Sequence, residues 1–159
     1  MTKLPALNLK PQAFKITQEG DKLYIFDEIR KKHLLLSPEE WVRQHFIRFL
    51  IQEKNIPSTL IQIEGGLKLN QLQKRSDILI LDTYGNPLIL VECKAPKIKI
   101  TQSTFDQAAR YNSIYKAPIL IVTNGLQHIY AEIQHNLGQY KYLPDLPLYS
   151  EILANKKKY

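Results

Sequence analysis

Arg75-Ser-Asp77-Ile-Leu-Ile-Leu81-Asp-Thr-Tyr84-Gly85-Asn86-Pro87-Leu-Ile-Leu-Val-Glu92-Cys93-Lys94-Ala-Pro96 is the stretch on which the fold of this chain turns. Two apolar, β-branched runs flank a turn cluster at Tyr84 to Pro87, which is the pattern of a β-hairpin. Asp77 opens the first strand; Glu92 and Lys94 close the second. An even-numbered turn, Gly85-Asn86 or Tyr84 to Pro87, makes Asp77 the cross-strand partner of Lys94. Glu92, two residues away, then shares their face. An odd loop or a bulge would turn Asp77 to the other face. Neighbouring carboxylates repel unless a cation or proton lies between them. A hard divalent ion such as Mg²⁺ takes one or two carboxylates together with waters and phosphate oxygens. A surface Asp–Lys pair with a stray Glu would account for the hairpin alone equally well.

Around this hairpin lies a chain of 159 residues, 44% hydrophobic and 23% charged, long enough for one domain with a proper core. No apolar run approaches the roughly 18 residues of a membrane span, and Met1-Thr-Lys-Leu-Pro-Ala6 lacks the apolar core of a secretory signal. The single cysteine excludes an intrachain disulfide and a cysteine-rich zinc site. A cytoplasmic location is the expectation. The net charge of +7 favours a polyanionic partner, nucleic acid first.

Residues 1–12, with Pro5 and Pro11, read as an extended arm. A hairpin follows, Phe14 to Thr17 and Leu23 to Phe26 around Gln18-Glu-Gly20-Asp21. Ser37-Pro38-Glu39-Glu40 is a helix start: a capping serine, proline at the first helical position, glutamate three after the cap. The helix should run to about Lys54, with Trp41, Val42, Phe46, Phe49 and Leu50 as its apolar face and Arg43, Gln44 and Arg48 off that stripe. Thr59 to Glu64 reads as a strand and Lys68 to Lys74 as a polar loop. Thr101 to Ser103 caps a second helix ending near Lys116. Its expected packing stripe is Phe105, Ala108, Ala109, Asn112 and Tyr115, with Gln107, Arg110, Tyr111 and Ile114 on a different face. Ala117 to Asn124 reads as a buried strand, so the connection is a parallel crossover. Another strand spans Gln127 to Ile133; Asn136 to Tyr149 has no clear assignment, and Ser150 to Lys158 reads as a short helix fraying into a solvated tail.

The order helix, three strands, helix, strand (αβββαβ), with Asp77 and then Glu92-Cys93-Lys94, resembles the PD-(D/E)xK nuclease superfamily. The wider pattern is similar to the N-terminal nuclease domain of type I restriction enzyme R subunits. It rests on five ordered blocks between about Ser37 and Gly125: Pro38-Glu-Glu40-Trp-Val-Arg43-Gln44, Arg75-Ser76-Asp77, Val91-Glu-Cys-Lys-Ala-Pro96, Asp106-Gln107-Ala-Ala-Arg-Tyr111-Asn112 and Thr123-Asn-Gly125. Ser76 stands where the superfamily motif has proline. No Walker loop occurs in these residues, so the restriction role itself is not implied. The resemblance implies an α/β fold, a mixed central sheet flanked by helices, within a single domain over 1–159. Its core is about 37–125, with an N-terminal arm and hairpin (1–36) and a C-terminal extension (126–159).

The resemblance also implies roles. Asp77 and Glu92 would hold Mg²⁺ or Mn²⁺, aided by the backbone carbonyl of Cys93. Lys94 would position or help deprotonate the attacking water. Glu40 would reach the site from the first helix, and Gln107 from the second, with Tyr111 one turn on. Glu64, Arg43 and Tyr111 are rim candidates. Blander roles stand beside these: Glu40 as reciprocal partner of Ser37 in a capping box, Arg43 as an ion-pair partner of Glu39 or Glu40, Gln107 as a solvated helix residue. Cys93 should face away from Glu92 as a core thiol, and His33, His45, His128 and His135 show no metal spacing. The function implied is a Mg²⁺-dependent endonuclease acting on DNA, with no membrane association and with a homodimer or partner protein left open. A catalytically inactive nucleic-acid-binding or regulatory module is the alternative, and an assembly protein with an acidic partner a third.

Overall fold

The N-terminal hairpin grows into a three-stranded antiparallel sheet, β1 (Ile16–Glu19), β2 (Lys22–Asp27) and β3 (Lys32–Leu35). The structure, a computed structural model, describes residues 4–63, 67–69, 72–74 and 78–156, with the side chains of 67–69 and 72–74 excepted. Helix α1 (Pro38–Glu53) begins where the capping pattern predicts. Ser37 Oγ accepts from Glu40 N at 3.0 Å, and Pro38 occupies the first turn, where its missing N–H costs nothing. The expected strand after α1 is shorter than predicted: a 3₁₀ turn at Ser58–Leu60 precedes β4 (Ile61–Gln62). The polar connection predicted as a loop contains an antiparallel pair, β5 (Leu67–Leu69) and β6 (Leu72–Lys74).

Then come β7 (Ile78–Leu81), β8 (Pro87–Cys93), α2 (Gln102–Tyr115) and β9 (Ile119–Thr123). The segment without a sequence assignment supplies β11 (Gln139–Leu143), which pairs with β10 (His128–Gln134). Helix α3 (Tyr149–Ala154) is shorter than its predicted range. Lys156 does not lie in a solvated tail; its ammonium pairs with buried Asp82.

The main sheet is mixed, in the order β11-β10-β9-β8-β7-β4. Only β8 and β9 run parallel, because α2 carries the chain back across the sheet. Strands buried on both faces read as continuous Ile, Leu and Val runs, and β8 and β9 do so. Ile78, Ile80, Ile89, Val91, Ile119 and Ile121 face α1 and α3. Leu79, Leu90, Leu120 and Val122 face α2. The result is an α/β sheet with helices on both faces, as expected.

Along the described part of the central hairpin, β7 and β8 keep the facing parity that an even turn would give, by a different route. Its loop, Asp82 to Asn86, has five residues, closed by Asp82 N to Asn86 O at 2.9 Å. An odd loop alone would invert the faces. A bulge compensates: Ile80 pairs with Ile89, but Leu81 pairs with Pro87, which leaves Leu88 extra. The two irregularities cancel in parity and displace the register by two residues. Ile78 therefore pairs with Val91, rather than with Cys93 as the even turn required.

Candidate active site

Parallel strands and their crossover helix leave a crevice at the carboxyl ends of the strands. Glu92 and Lys94 lie there, at the end of β8. Alternation along β8 sends Glu92 to the α2 side with Leu90 and Cys93 to the α1 side, where its thiol is 1% exposed in the core. The Glu92 side chain is 8% exposed, and Lys94 Nζ lies 3.0 Å from its Oε1. A carboxylate this buried is costly unless it is paired and hydrogen-bonded. Lys94 N donates to Thr123 O at 2.8 Å, so the ladder between the parallel strands continues to the lysine itself.

The floor of the crevice is tied by Thr123-Asn124-Gly125. Asn124 Oδ1 accepts from Leu126 N and Gln127 N, and its Nδ2 donates to Ile98 O at 2.9 Å. Gly125 has φ +85, and a Cβ there would lie 2.8 Å from Leu7 Cδ2 and 3.0 Å from Val42 Cγ2. Glycine is needed for both conformation and close approach. This block of the sequence is therefore a structural turn at the edge of the site.

Glu40 is not the reciprocal partner of a capping box. Its carboxylate does not return to Ser37, whose N–H donates instead to Leu35 O. Oε1 accepts from Arg43 at 2.7 Å and from Arg30 at 3.4 Å; Oε2 accepts from Gln44 at 3.0 Å. Arg43 also pairs with Glu39 at 2.9 Å, the ion-pair role foreseen for it. At the centre of this network is Asp27, fully buried. It accepts from Ile29 N, Arg30 N and Arg30 Nε, each at 2.8 Å, and from Gln44 at 3.0 Å. Burial pushes its carboxyl up, but the Arg30 main chain, the guanidinium and Gln44 outweigh this and hold it below the usual range. Arg43 and Gln44, off the apolar stripe of α1, are thus buried, because the N-terminal sheet covers that side of the helix with matching charge.

On α2, Gln107 is exposed to solvent. Tyr111 is only 6% exposed and belongs to the core with Leu90, Phe105 and Val122, not to a separate face shared with Gln107. Asp77 and Glu64 lie outside the described residues. Among the described residues no group of three or more His, Cys, Asp or Glu is placed to hold a metal ion. The donor at the strand end, a buried carboxylate, is of the hard oxygen type that suits Mg²⁺. Glu40, with both oxygens engaged, is less suited to bind an ion directly. His128 is structural: its Nε2 donates to Asn8 O at 3.0 Å while Thr123 Oγ1 lies 2.7 Å from Nδ1, and burial keeps this imidazole below its ordinary pKa.

With this geometry in hand, comparison with known proteins is decisive at the family level. The sequence model of the type I restriction enzyme R protein N terminus matches residues 38–147. The chain belongs to that family. Membership supports a nuclease-related role. Among solved structures, the chain is similar to the fragment structure of an HsdR subunit of a type I restriction enzyme from Vibrio vulnificus YJ016. The identity is 21% and the TM-score 0.54, over 77% of this chain and 26% of that one. The likeness is one of fold, and the chain spans about a quarter of its neighbour. No protein with a curated description matches. No helix among the described residues is long and apolar enough to cross a membrane.

Two features of this chain escaped sequence reasoning. Asp27 and Arg30 precede the matched segment, and their partners Glu40 and Gln44 are remote in sequence. The one local signal was Asp27 three residues before Arg30, a spacing suited to a side-chain-capped turn. Asn124 was part of the Thr123-Asn-Gly125 block, but its role in tying Leu126, Gln127 and Ile98 had no signal in the sequence.

Proposed function

We propose that this R-protein N terminus is a metal-dependent endonuclease domain of the PD-(D/E)xK type acting on DNA. The observation that carries the reading is the Glu92–Lys94 pair, 3.0 Å apart at the carboxyl end of the parallel strand pair. Glu92 and Asp77 would hold Mg²⁺ or Mn²⁺ with the backbone carbonyl of Cys93. A bound ion of this kind supplies a water of lowered pKa and stabilises charge developing on phosphate. Lys94, a compact cation, would sit against a phosphate oxygen and take part in deprotonating the attacking water. Gln107, exposed on α2, is free to orient that water. Glu40 would act through the outer network rather than as a ligand. DNA binding and assembly with other subunits belong to the same proposal, on the strength of the family.

The catalytically inactive module is favoured by one observation: the Glu40 carboxylate is fully engaged by Arg30, Arg43 and Gln44. Cleavage assays decide between the two. Purified protein with single-stranded, duplex and branched DNA should give product only with Mg²⁺ or Mn²⁺. Asp77→Ala, Glu92→Ala and Lys94→Ala should each lose about 3 kcal/mol of transition-state stabilisation, roughly a hundredfold or more in rate. The losses should not add, because the groups act as one unit. No product in either metal, or undiminished cleavage by Lys94→Ala, would leave the binding module as the better reading.

A further inference from the structure

The positive charge of this chain is not evenly spread. Residues 93–131 hold five cations (Lys94, Lys97, Lys99, Arg110 and Lys116) against one acid, Asp106, so they carry +4 of the net +7. All of these charges lie in the crossover between β8 and β9, residues 94–118, and three of the five cations lie in the short connection between β8 and α2. That connection is built, not loose. Ala95, Pro96, Lys97 and Ile98 form a β-turn, with Ile98 N donating to Ala95 O at 3.0 Å. Pro96 stands at the second position, where its fixed φ suits the turn. Asn124, itself 6% exposed, grips Ile98 O at 2.9 Å from the end of β9. The backbone of Ile98 is thus held on the protein, while its side chain is 49% exposed. Lys97 and Lys99, both exposed, flank it.

We infer that this turn is a DNA-contacting ridge, with Lys97 and Lys99 on neighbouring phosphates of one strand and Ile98 against the groove between them. Two residues of chain span at most about 7 Å, and two flexible ammonium stems readily reach successive phosphates. An apolar side chain presented between two cations is the arrangement by which proteins press on a base step while neutralising its backbone. The ridge follows directly after Lys94, so a strand bound on it passes the end of β8. This inference rests on DNA as the substrate, and its test is separable from the test of cleavage.

Binding is measured by fluorescence anisotropy with a labelled mixed-sequence duplex of about two helical turns, without metal, over a range of salt concentrations. Each phosphate contact contributes about 0.9 to the slope of log K against log salt. K97Q/K99Q should therefore flatten the slope by about 2 and weaken binding up to ~60-fold at 0.1 M salt. Ile98→Ser should weaken binding with the slope unchanged. Asn124→Ala, which frees the turn, should weaken binding, with circular dichroism confirming that it folds. The pair K22Q/K32Q, on exposed lysines of the N-terminal sheet, should leave the slope as it was. An unchanged slope for K97Q/K99Q, an equal loss for K22Q/K32Q, or no binding by the parent chain overturns the ridge. Metal-dependent cleavage with an unchanged slope sinks the ridge alone; intact ridge-dependent binding without product in any metal sinks the nuclease reading alone.

Discussion

Asp27→Ala should be the most damaging single change outside the main sheet. The side chain is fully buried and accepts two main-chain N–H bonds, an Arg30 guanidinium and the Gln44 amide. Truncation leaves these donors facing a void, and the Arg30 guanidinium, 24% exposed, recovers only part of its solvation. Hydrogen bonds to a charged acceptor contribute about 1.5–3 kcal/mol each but are not additive, and breaking a buried pair typically costs about 3–5 kcal/mol. The expected loss is about 3–5 kcal/mol, or roughly 10 °C in melting temperature for a chain of this size. Asp27→Asn keeps the oxygen that serves Ile29 and Arg30 N–H but turns an amide toward Arg30 and Gln44. It should cost less than alanine, about 2 kcal/mol. Urea denaturation at neutral pH measures both. The folded pKa lies below the unfolded value, so the contribution is present in full above about pH 4 and disappears as pH falls through the depressed value. The difference between parent and Asp27→Asn should therefore shrink on acidification below that point. A loss under about 1 kcal/mol for alanine would refute the view that this network fastens the N-terminal sheet to α1.

Gly125→Ala forces a side chain into φ +85 against Leu7 and Val42 and should lower stability by about 1–3 kcal/mol, read by thermal unfolding. Tyr130 has its phenol pushed up to about 12, first by burial and then by Asp145 and Glu53, so its ultraviolet titration step should be absent at pH values where ordinary tyrosines ionise; Tyr130→Phe should leave the remaining titration unchanged. Chelation of divalent ions should abolish any cleavage and Mn²⁺ should restore it, while DNA binding by the Lys97 and Lys99 ridge survives chelation; product formed in excess chelator would exclude a metal site.

Much of the fold was legible wherever the physics is local. Ser37-Pro38 set the start of α1, because the cap and the proline each solve a problem of the first turn. Continuous apolar runs at β8 and β9, joined by a helical pattern, specified the parallel crossover. Simple alternation put Glu92 and Cys93 on opposite faces. Failures arose where two elements decide jointly. The hairpin register was missed by two residues because the bulge at Leu88 depends on how a five-residue loop is tied down by Asp82. Tyr111 was assigned to a separate helix face, but the sheet is broad enough to bury a wider arc of α2. Arg43 and Gln44 were placed off the apolar stripe, and their burial was not foreseen because nothing near them in sequence announces Asp27.

That last failure bears on the site itself. The matched family segment begins at residue 38, yet the partners that hold Glu40 and Gln44 come from β2 and the turn after it. Removing residues before 38 would take away Asp27 and Arg30, and with them one of the two acceptors of the Gln44 amide and one of the three partners of Glu40. The N-terminal sheet is therefore not an ornament on a nuclease-like core. Arg30, from the turn after β2, helps fix the orientation of the first-helix glutamate. The Glu40 carboxylate is shared among Arg30, Arg43 and Gln44, so any new partner would have to displace at least one of them. Asp27 holds Arg30 in place, so the strength of that pair governs how firmly the accessory sheet fixes the Glu40 carboxylate and is tied to α1.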